Sequence, residues 1–230
     1  MIFIVGRVRR SRLEICRGIS FLQSIRVSGW NLPYPPCVSS FMRILYDWLF
    51  PALWIVYVLY WQWMARDVKA ATRREGLASH ALRSLLMIAS VALYFVDVPL
   101  RFLNLHFIHT GLGTFWTGAA ITAAGLLFSV WARQVLGRNW SREVTVKQDH
   151  QLIVRGPYAL ARHPIYTGLL TAVLGSALAV GRWRALLGAA LVFLALGLKL
   201  RLEERWMGEQ FGAAYAVYRQ RVRALIPFVL

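Results

Sequence analysis

The chain is 230 residues long, 58% hydrophobic and only 16% charged, with a mean hydropathy of +0.49 and a formal net charge of +17. This composition excludes an ordinary soluble domain. The apolar residues come in blocks whose ends carry the basic residues, which points to a polytopic all-α integral membrane protein and away from nucleic-acid binding.

Residues 1–41 contain Arg7, Arg9, Arg10, Arg12, Arg17 and Arg26, no apolar run long enough for a signal-peptide core, and the turn-rich stretch NLPYPPC. They read as a basic, poorly structured or non-native extension, with Met42 as the expected start of translation. Cys16 and Cys37 lie within it, match no metal or redox spacing and read as free thiols. Three membrane helices are expected over residues 42–135, at about 44–65, 84–103 and 114–135. Residues 136–230 are expected to form a core containing two shorter apolar blocks, 165–180 and 185–200, broken by GRWR. Sixteen residues fall short of the roughly twenty that span a bilayer upright, so these two read as a tight helical hairpin, bringing the expected count to five helices.

Lys and Arg fall unevenly. Arg66, Lys69, Arg73, Arg74 and Arg83 follow the first helix; Arg133, Arg138, Arg142, Lys147, Arg155 and Arg162 follow the third; Lys199, Arg201, Arg205, Arg219, Arg221 and Arg223 follow the fifth. The opposite side carries Arg43, Arg101, Arg182 and Arg184, so those two loops and the C-terminus are expected to face the cytoplasm of a bacterial inner membrane. In the tail, Met207, Phe211, Tyr215, Tyr218 and Val222 recur at helical spacing opposite the charged residues, which describes an interfacial amphipathic helix ended by Pro227.

Two polar clusters flank the hairpin: LGRNWSREVTVKQDHQLIVRGPYALARHPIYTG, starting at Leu136, and KLRLEERW, starting at Lys199. A hairpin returns to where it began, so the clusters are expected to meet. Pro164 suits the first turn of a helix, where its missing N–H costs nothing. Tyr158, His163 and Tyr166 suit a polar or aromatic ligand at a lipid interface. Glu203 and Glu204 at a helix C-terminus oppose the helix dipole and call for a cation, either Lys199 and Arg201 or a ligand.

From about Gly137 to Phe228 these motifs, GPY and RHPxYTG, the EE pair and the ending FGAAYAVYRQRVRALIPF, resemble the isoprenylcysteine carboxyl methyltransferase and phospholipid methyltransferase group of membrane enzymes. The resemblance implies S-adenosyl-L-methionine as methyl donor at the cytosolic face and a lipid-like or prenylated acceptor entering from the bilayer. It implies that His150, Gln151, Leu152, Ile153 and Tyr158 line the adenosine side, that His163, Pro164, Ile165 and Tyr166 continue the pocket, and that Glu203 holds the cofactor. Lys199 falls where the isoprenylcysteine enzymes place a substrate-facing arginine, with Arg201 competing for that role. Glu143 stands where the eukaryotic enzymes have an uncharged polar residue.

Two acceptor chemistries stay open. A prenylcysteine carboxylate is already ionised and needs a cation, Arg201 or Lys199, to place it. An amine must first lose a proton, for which Glu204 or His163 would serve as base. Small thiols are a third option, and a sterol-reductase-like NADPH enzyme is the alternative from another class. Elsewhere, His106 and His109 read as part of a short interfacial loop, Asp97 and Arg101 as an interface ion pair, and the ten tryptophans as an aromatic belt.

Overall fold

The computed structural model describes residues 40–66, 71–74, 76–96, 98–137, 145–147 and 152–225, all within one compact unit. Five helices dominate: α1 (Ser40–Met64), α2 (Leu77–Phe95), α3 (Leu112–Leu136), α4 (Pro164–Val180) and α5 (Trp183–Arg221). Two short strands, β1 (Ala71–Arg74) and β2 (Thr145–Lys147), and 3₁₀ turns at Arg101–Asn104 and Gly156–Ala159 complete the described elements.

α2, α3 and α5 are long and apolar enough to cross a bilayer, and α4 is a shorter apolar helix of 17 residues. α1 has the length to cross as well. Its aromatic residues, among them Trp54, Tyr57, Tyr60 and Trp61, lower its hydropathy while leaving a wide apolar surface that includes exposed Ile55, Val56 and Leu59.

The second helix lies about seven residues earlier than its hydropathy suggests, because Pro99 lacks a backbone N–H and biases its predecessor away from helix. The residues beyond it wind into the 3₁₀ turn at Arg101.

Small residues set the central packing. Gly118 and Gly125 of α3 face Gly175 and Gly168 of α4 so closely that a Cβ on Gly125 would lie 2.5 Å from the Gly168 carbonyl oxygen, and one on Gly175 2.6 Å from the Thr122 nitrogen. Where lipid tails are as apolar as the side chains, such close backbone approach supplies the van der Waals contact that holds helices together. Hydroxyls finish the seam: Thr122 Oγ1 donates to the Ala172 carbonyl at 3.1 Å, and α1 joins through Trp54 Nε1 to Ser176 Oγ (3.1 Å) and the Tyr57–Ser129 hydroxyl pair (2.8 Å). α2 packs on α5 in the same style, Ser90 donating to the Gly188 carbonyl at 2.9 Å.

The two ends of the bundle are tied differently. At one end β1, from the α1–α2 loop, pairs antiparallel with β2, from the α3–α4 loop, and buried Arg133 donates to the carbonyls of Met64 (2.8 Å) and Gly137 (2.6 Å), capping α1 and α3. At the other end the α2–α3 loop pairs with the α4–α5 turn through Phe107 N to Gly181 O (2.9 Å) and Trp183 N to Leu105 O (3.2 Å). Buried Arg184 caps α2 there, donating to the Leu93 carbonyl at 2.6 Å. The α4–α5 turn is only Gly181 and Arg182, and Gly181 takes φ +66°, left-handed backbone in which a Cβ would also strike Thr110. His106 and His109 belong to the loop at this end.

α5 is broken at Gly212 (φ 49°, ψ −121°). A straight helix would separate positions 204 and 215 by about 16 Å, beyond the combined reach of Glu and Tyr side chains. Yet the two side chains are hydrogen-bonded, so the chain turns back at Gly212 and the C-terminal stretch lies against the rest of the β-ribbon end. This matches the expected amphipathic helix following the hairpin. The residues before 40, Asp97, Glu143, His150, Gln151 and Pro227 lie outside the described residues.

Candidate functional site

The α4–α5 hairpin brings the end of α5 back to the residues that open α4. Pro164 is fully buried at the first position of α4, as the missing N–H allows, and His163 precedes it. Both halves of the motif meet there, with Arg162, His163 and Tyr166 on one side and Lys199, Glu203 and Glu204 on the other.

Glu204 is the most heavily bonded group. Arg162 grips it with a two-pronged fork, Nε to Oε1 at 2.9 Å and Nη2 to Oε2 at 3.1 Å. His163 Nε2 lies 2.8 Å from Oε1, and the Tyr215 hydroxyl donates to the same oxygen at 2.6 Å. Arg162 also donates through Nη1 to the Val222 carbonyl. The backbone past α5 then runs alongside: Arg162 N donates to Arg223 O (2.8 Å), His163 N to Ala224 O (2.9 Å) and Thr167 Oγ1 to Leu225 O (2.6 Å). Glu204 therefore anchors the C-terminal segment to the turn that opens α4.

Glu203 faces another direction. Tyr166 donates its hydroxyl to Oε1 at 2.6 Å, Lys199 Nζ lies 3.8 Å from the same oxygen, and His163 Nδ1 lies 3.5 Å from Oε2. Its side chain is 24% exposed, twice the value for Glu204. The His163 ring stacks on Tyr166 at 5.5 Å with planes 5° apart, and Lys199 sits 5.5 Å over the Tyr166 ring.

His163 thus has a carboxylate at each ring nitrogen. Burial by itself would push the imidazole below its ordinary value, but the hydrogen bonds and charges of Glu203 and Glu204 outweigh it and hold the value above normal, favouring the doubly protonated ring. Burial pushes the phenol of Tyr158 upward, and the charge of Glu203 adds to the effect, so Tyr158 stays neutral.

A cleft of about 510 Å³ opens beside this network between α1, α2, α4 and α5. Tyr166, Lys199 and Ile165 line its inner wall, with Tyr57, Trp61 and Gln62 on α1 and Arg83 and Met87 on α2.

The expected residues divide by position. Tyr158, Pro164, Tyr166, Lys199, His163, Glu203 and Glu204 come together at the β-ribbon end, and Ile165 faces the cleft. Leu152 and Ile153 are half-buried in the irregular approach to the GPY turn. Arg201 is exposed and takes no part in the carboxylate network. Arg162, Tyr215, Thr167 and Arg83 escaped sequence reasoning. Arg162 is adjacent to His163 and could have been found as the cation that a C-terminal carboxylate pair calls for, whereas Tyr215 reads only as part of an apolar stripe until the break at Gly212 is known.

A family model described as phospholipid methyltransferase matches residues 114–214. Protein-S-isoprenylcysteine O-methyltransferase B of Arabidopsis thaliana is 26% identical over 67% of this chain and 82% of its own length. Protein-S-isoprenylcysteine O-methyltransferase of Schizosaccharomyces pombe is 31% identical over 40% of this chain and 41% of its own. The cobalt-zinc-cadmium resistance protein CzcN of Cupriavidus metallidurans is 29% identical over 65% of this chain and 68% of its own. Over residues 114–214 the chain is therefore similar to phospholipid methyltransferases, and over a longer span to protein-S-isoprenylcysteine O-methyltransferases.

Proposed function

We propose that this protein transfers a methyl group from S-adenosyl-L-methionine to the carboxylate of a prenylated cysteine or a similar apolar carboxylic acid, at the cytoplasmic face of the membrane. The observation that carries the reading is the Glu203 side of the network: a half-buried carboxylate bonded to Tyr166 and facing His163, next to a cleft that leads between helices. The cofactor combines a cationic ammonium and sulfonium with an aromatic base, and this donor set fits it, because a carboxylate can accept from the ammonium and the rings can stack on the base. Glu203, Tyr158, His163 and Tyr166 would hold it, with His150, Gln151, Leu152 and Ile153 as further expected contacts. When bound, the cofactor supplies a methyl group on a sulfonium sulfur that is ready for in-line displacement.

The chain's own task is alignment. A carboxylic acid acceptor, with an ordinary α-carboxyl pKa of about 3.5, is ionised at neutral pH and needs no base. Lys199 reaches both Glu203 and the cleft, so it can orient an acceptor carboxylate beside the cofactor side. An amine acceptor would need a free base. Glu204 is taken up by Arg162, His163 and Tyr215, and both ring nitrogens of His163 face the carboxylates of Glu203 and Glu204, which leaves neither group free as a base and favours the carboxylate acceptor over phosphatidylethanolamine. The position of the β-ribbon end at the cytoplasmic face is supported by the Lys and Arg that collect in its loops.

The test is incubation of the purified protein in nanodiscs with methyl-labelled S-adenosylmethionine and, separately, a farnesylated N-acylcysteine, phosphatidylethanolamine and a small thiol. Label is expected in the farnesylcysteine as a methyl ester that alkali releases as methanol, and Glu203→Ala should abolish it. Label that survives alkali and resides on nitrogen or sulfur would overturn the carboxylate reading.

A further inference from the structure

Tyr158 and Glu203 both belong to the side of the site expected to meet the cofactor, but the chain holds them in different ways. Glu203 rides on the long helix α5, whereas Tyr158 sits on the single 3₁₀ turn Gly156–Ala159. A turn that short satisfies few of its own backbone groups. Tyr158 N donates to Arg155 O at 3.3 Å, and Leu160 N and Ala161 N both turn to the Pro157 carbonyl at 3.1 Å. The next amide, Arg162 N, leaves the turn and donates to Arg223 O. The Tyr158 carbonyl takes its donor from far along the chain: the hydroxyl of Tyr218, buried and 2.6 Å away.

The turn is supported on its first residue by α3, where a Cβ on Gly156 would lie 3.5 Å from Val135, and Pro157 is fully buried. Tyr218 fixes the other half, the part from which the Tyr158 ring projects. That ring is buried and feels the charge of Glu203, so the direction of the turn decides how the ring stands toward the carboxylate. Tyr215, three residues before Tyr218 and edge-on to it at 6.0 Å, donates instead to the Glu204 side chain. Two phenols of one helical stretch therefore reach two different targets, one a structural carboxylate and the other the backbone under a cofactor-side ring.

We propose that Tyr218 is a positioning residue for the cofactor: by holding the Tyr158 carbonyl it sets the direction of the Tyr158 ring on the adenosine side, and it couples docking of the chain beyond Gly212 to cofactor binding. The inference rests on the methyl-transfer reading for the identity of the ligand. It gives a role in recognition to a residue that touches neither the ligand nor the acidic pair.

The protein in nanodiscs is titrated calorimetrically with S-adenosyl-L-homocysteine, and unfolding is measured on the same samples. Tyr218→Phe should weaken binding about tenfold, the size set by leaving a buried carbonyl without its donor. Tyr215→Phe, which loosens the same stretch through Glu204, should lower stability and leave affinity within about twofold. In a Tyr158→Ala background Tyr218→Phe should cost stability but no further affinity, because its effect on the ligand runs through the missing ring. Should Tyr218→Phe fail to fold, limited proteolysis replaces it: at equal ligand occupancy the ligand should slow cleavage beyond Gly212 in the wild type more than in Tyr158→Ala, as reciprocal coupling requires. Unchanged affinity in Tyr218→Phe, an equal loss of affinity with and without the Tyr158 ring, or cleavage that the ligand slows equally in both proteins overturns the proposal. A wild type that does not bind the ligand at all defeats the methyl-transfer reading and this proposal together. Binding that ignores Tyr218 in an enzyme that turns over defeats this proposal alone, and Tyr218-dependent binding without methyl transfer to any acceptor defeats the methyl-transfer reading alone.

Discussion

Glu203 and Glu204 are neighbours on α5, and their side chains leave the helix about 100° apart, into two different regions of the molecule. On the Glu204 side the partners are Arg162, His163 and Tyr215, and the region beyond is the chain's own C-terminal backbone. On the Glu203 side the partners are Tyr166 and Lys199, and the region beyond is the cleft between α1, α2, α4 and α5. One carboxylate is used up in holding the fold together, while its neighbour keeps a surface that a ligand can meet. An acidic pair in sequence is therefore two separate devices, and the 100° turn of one residue is what divides them.

The largest expected effect breaks the Glu204 side. Glu204→Ala leaves a guanidinium and an imidazolium facing each other without their shared anion, and removing one partner of such a buried pair costs on the order of 3 kcal/mol. Denaturant unfolding in detergent should show a loss of about that size, with the C-terminal segment becoming the first site of limited proteolysis. Glu203→Gln should behave in the opposite manner: a small loss of stability, but a fall of roughly 100-fold or more in kcat/KM, since a charged contact of about 3 kcal/mol to the donor would be lost. If both variants lost stability and activity in equal measure, the division between the two sides would not hold.

His163 joins the two regions, and pH tests the joint. Its folded value is raised above the ordinary 6.5, so its contribution to stability is complete below about pH 6.5 and is lost as pH rises through the higher folded value. The wild type should therefore lose stability on going from pH 6.5 into the alkaline range relative to His163→Gln, which has no such proton to lose. Unfolding free energies compared across pH check this, and parallel curves for the two proteins would contradict it.

Much of this was legible before the structure. Helical periodicity and block length give α1, α3 and α4 within a few residues and the start of α5, which runs on to the break at Gly212 where the apolar block ends near 200, and the logic of a returning hairpin places RHP against EE. The second helix was misplaced because mean hydropathy does not register the break at Pro99 or the polar start at His80 and Arg83. The glycine seam of α3 and α4 was hidden because Gly118, Gly125, Gly168 and Gly175 are unremarkable in an apolar run until two helices are known to face each other. Arg162 and Tyr215 were missed for a related reason. Their role depends on contacts across more than forty residues and on a backbone break at Gly212, neither of which local spacing encodes.

The smallest expected effect gives the sharpest comparison, because the two sides contain the same chemical group. Tyr166 and Tyr215 each donate a hydroxyl to a carboxylate at 2.6 Å, one to Glu203 and one to Glu204. Replacing either with Phe removes one oxygen and keeps the ring, so the direct loss is a single charge-assisted hydrogen bond of about 1.5 kcal/mol in both. What differs is where that loss appears. Tyr215→Phe frees one bond of an oxygen that Arg162 and His163 still hold, and the C-terminal stretch loses a tie across Gly212; its effect should fall on unfolding, with KM for the cofactor unchanged. Tyr166→Phe leaves Glu203 held by Lys199 and His163 but no longer fixed in direction, while the Tyr166 ring still lines the cleft. Its effect should fall on KM and kcat/KM, by about tenfold, with unfolding changed less than in Tyr215→Phe. A reversal of that order would mean that Glu203 is the structural carboxylate and Glu204 the one that meets the ligand.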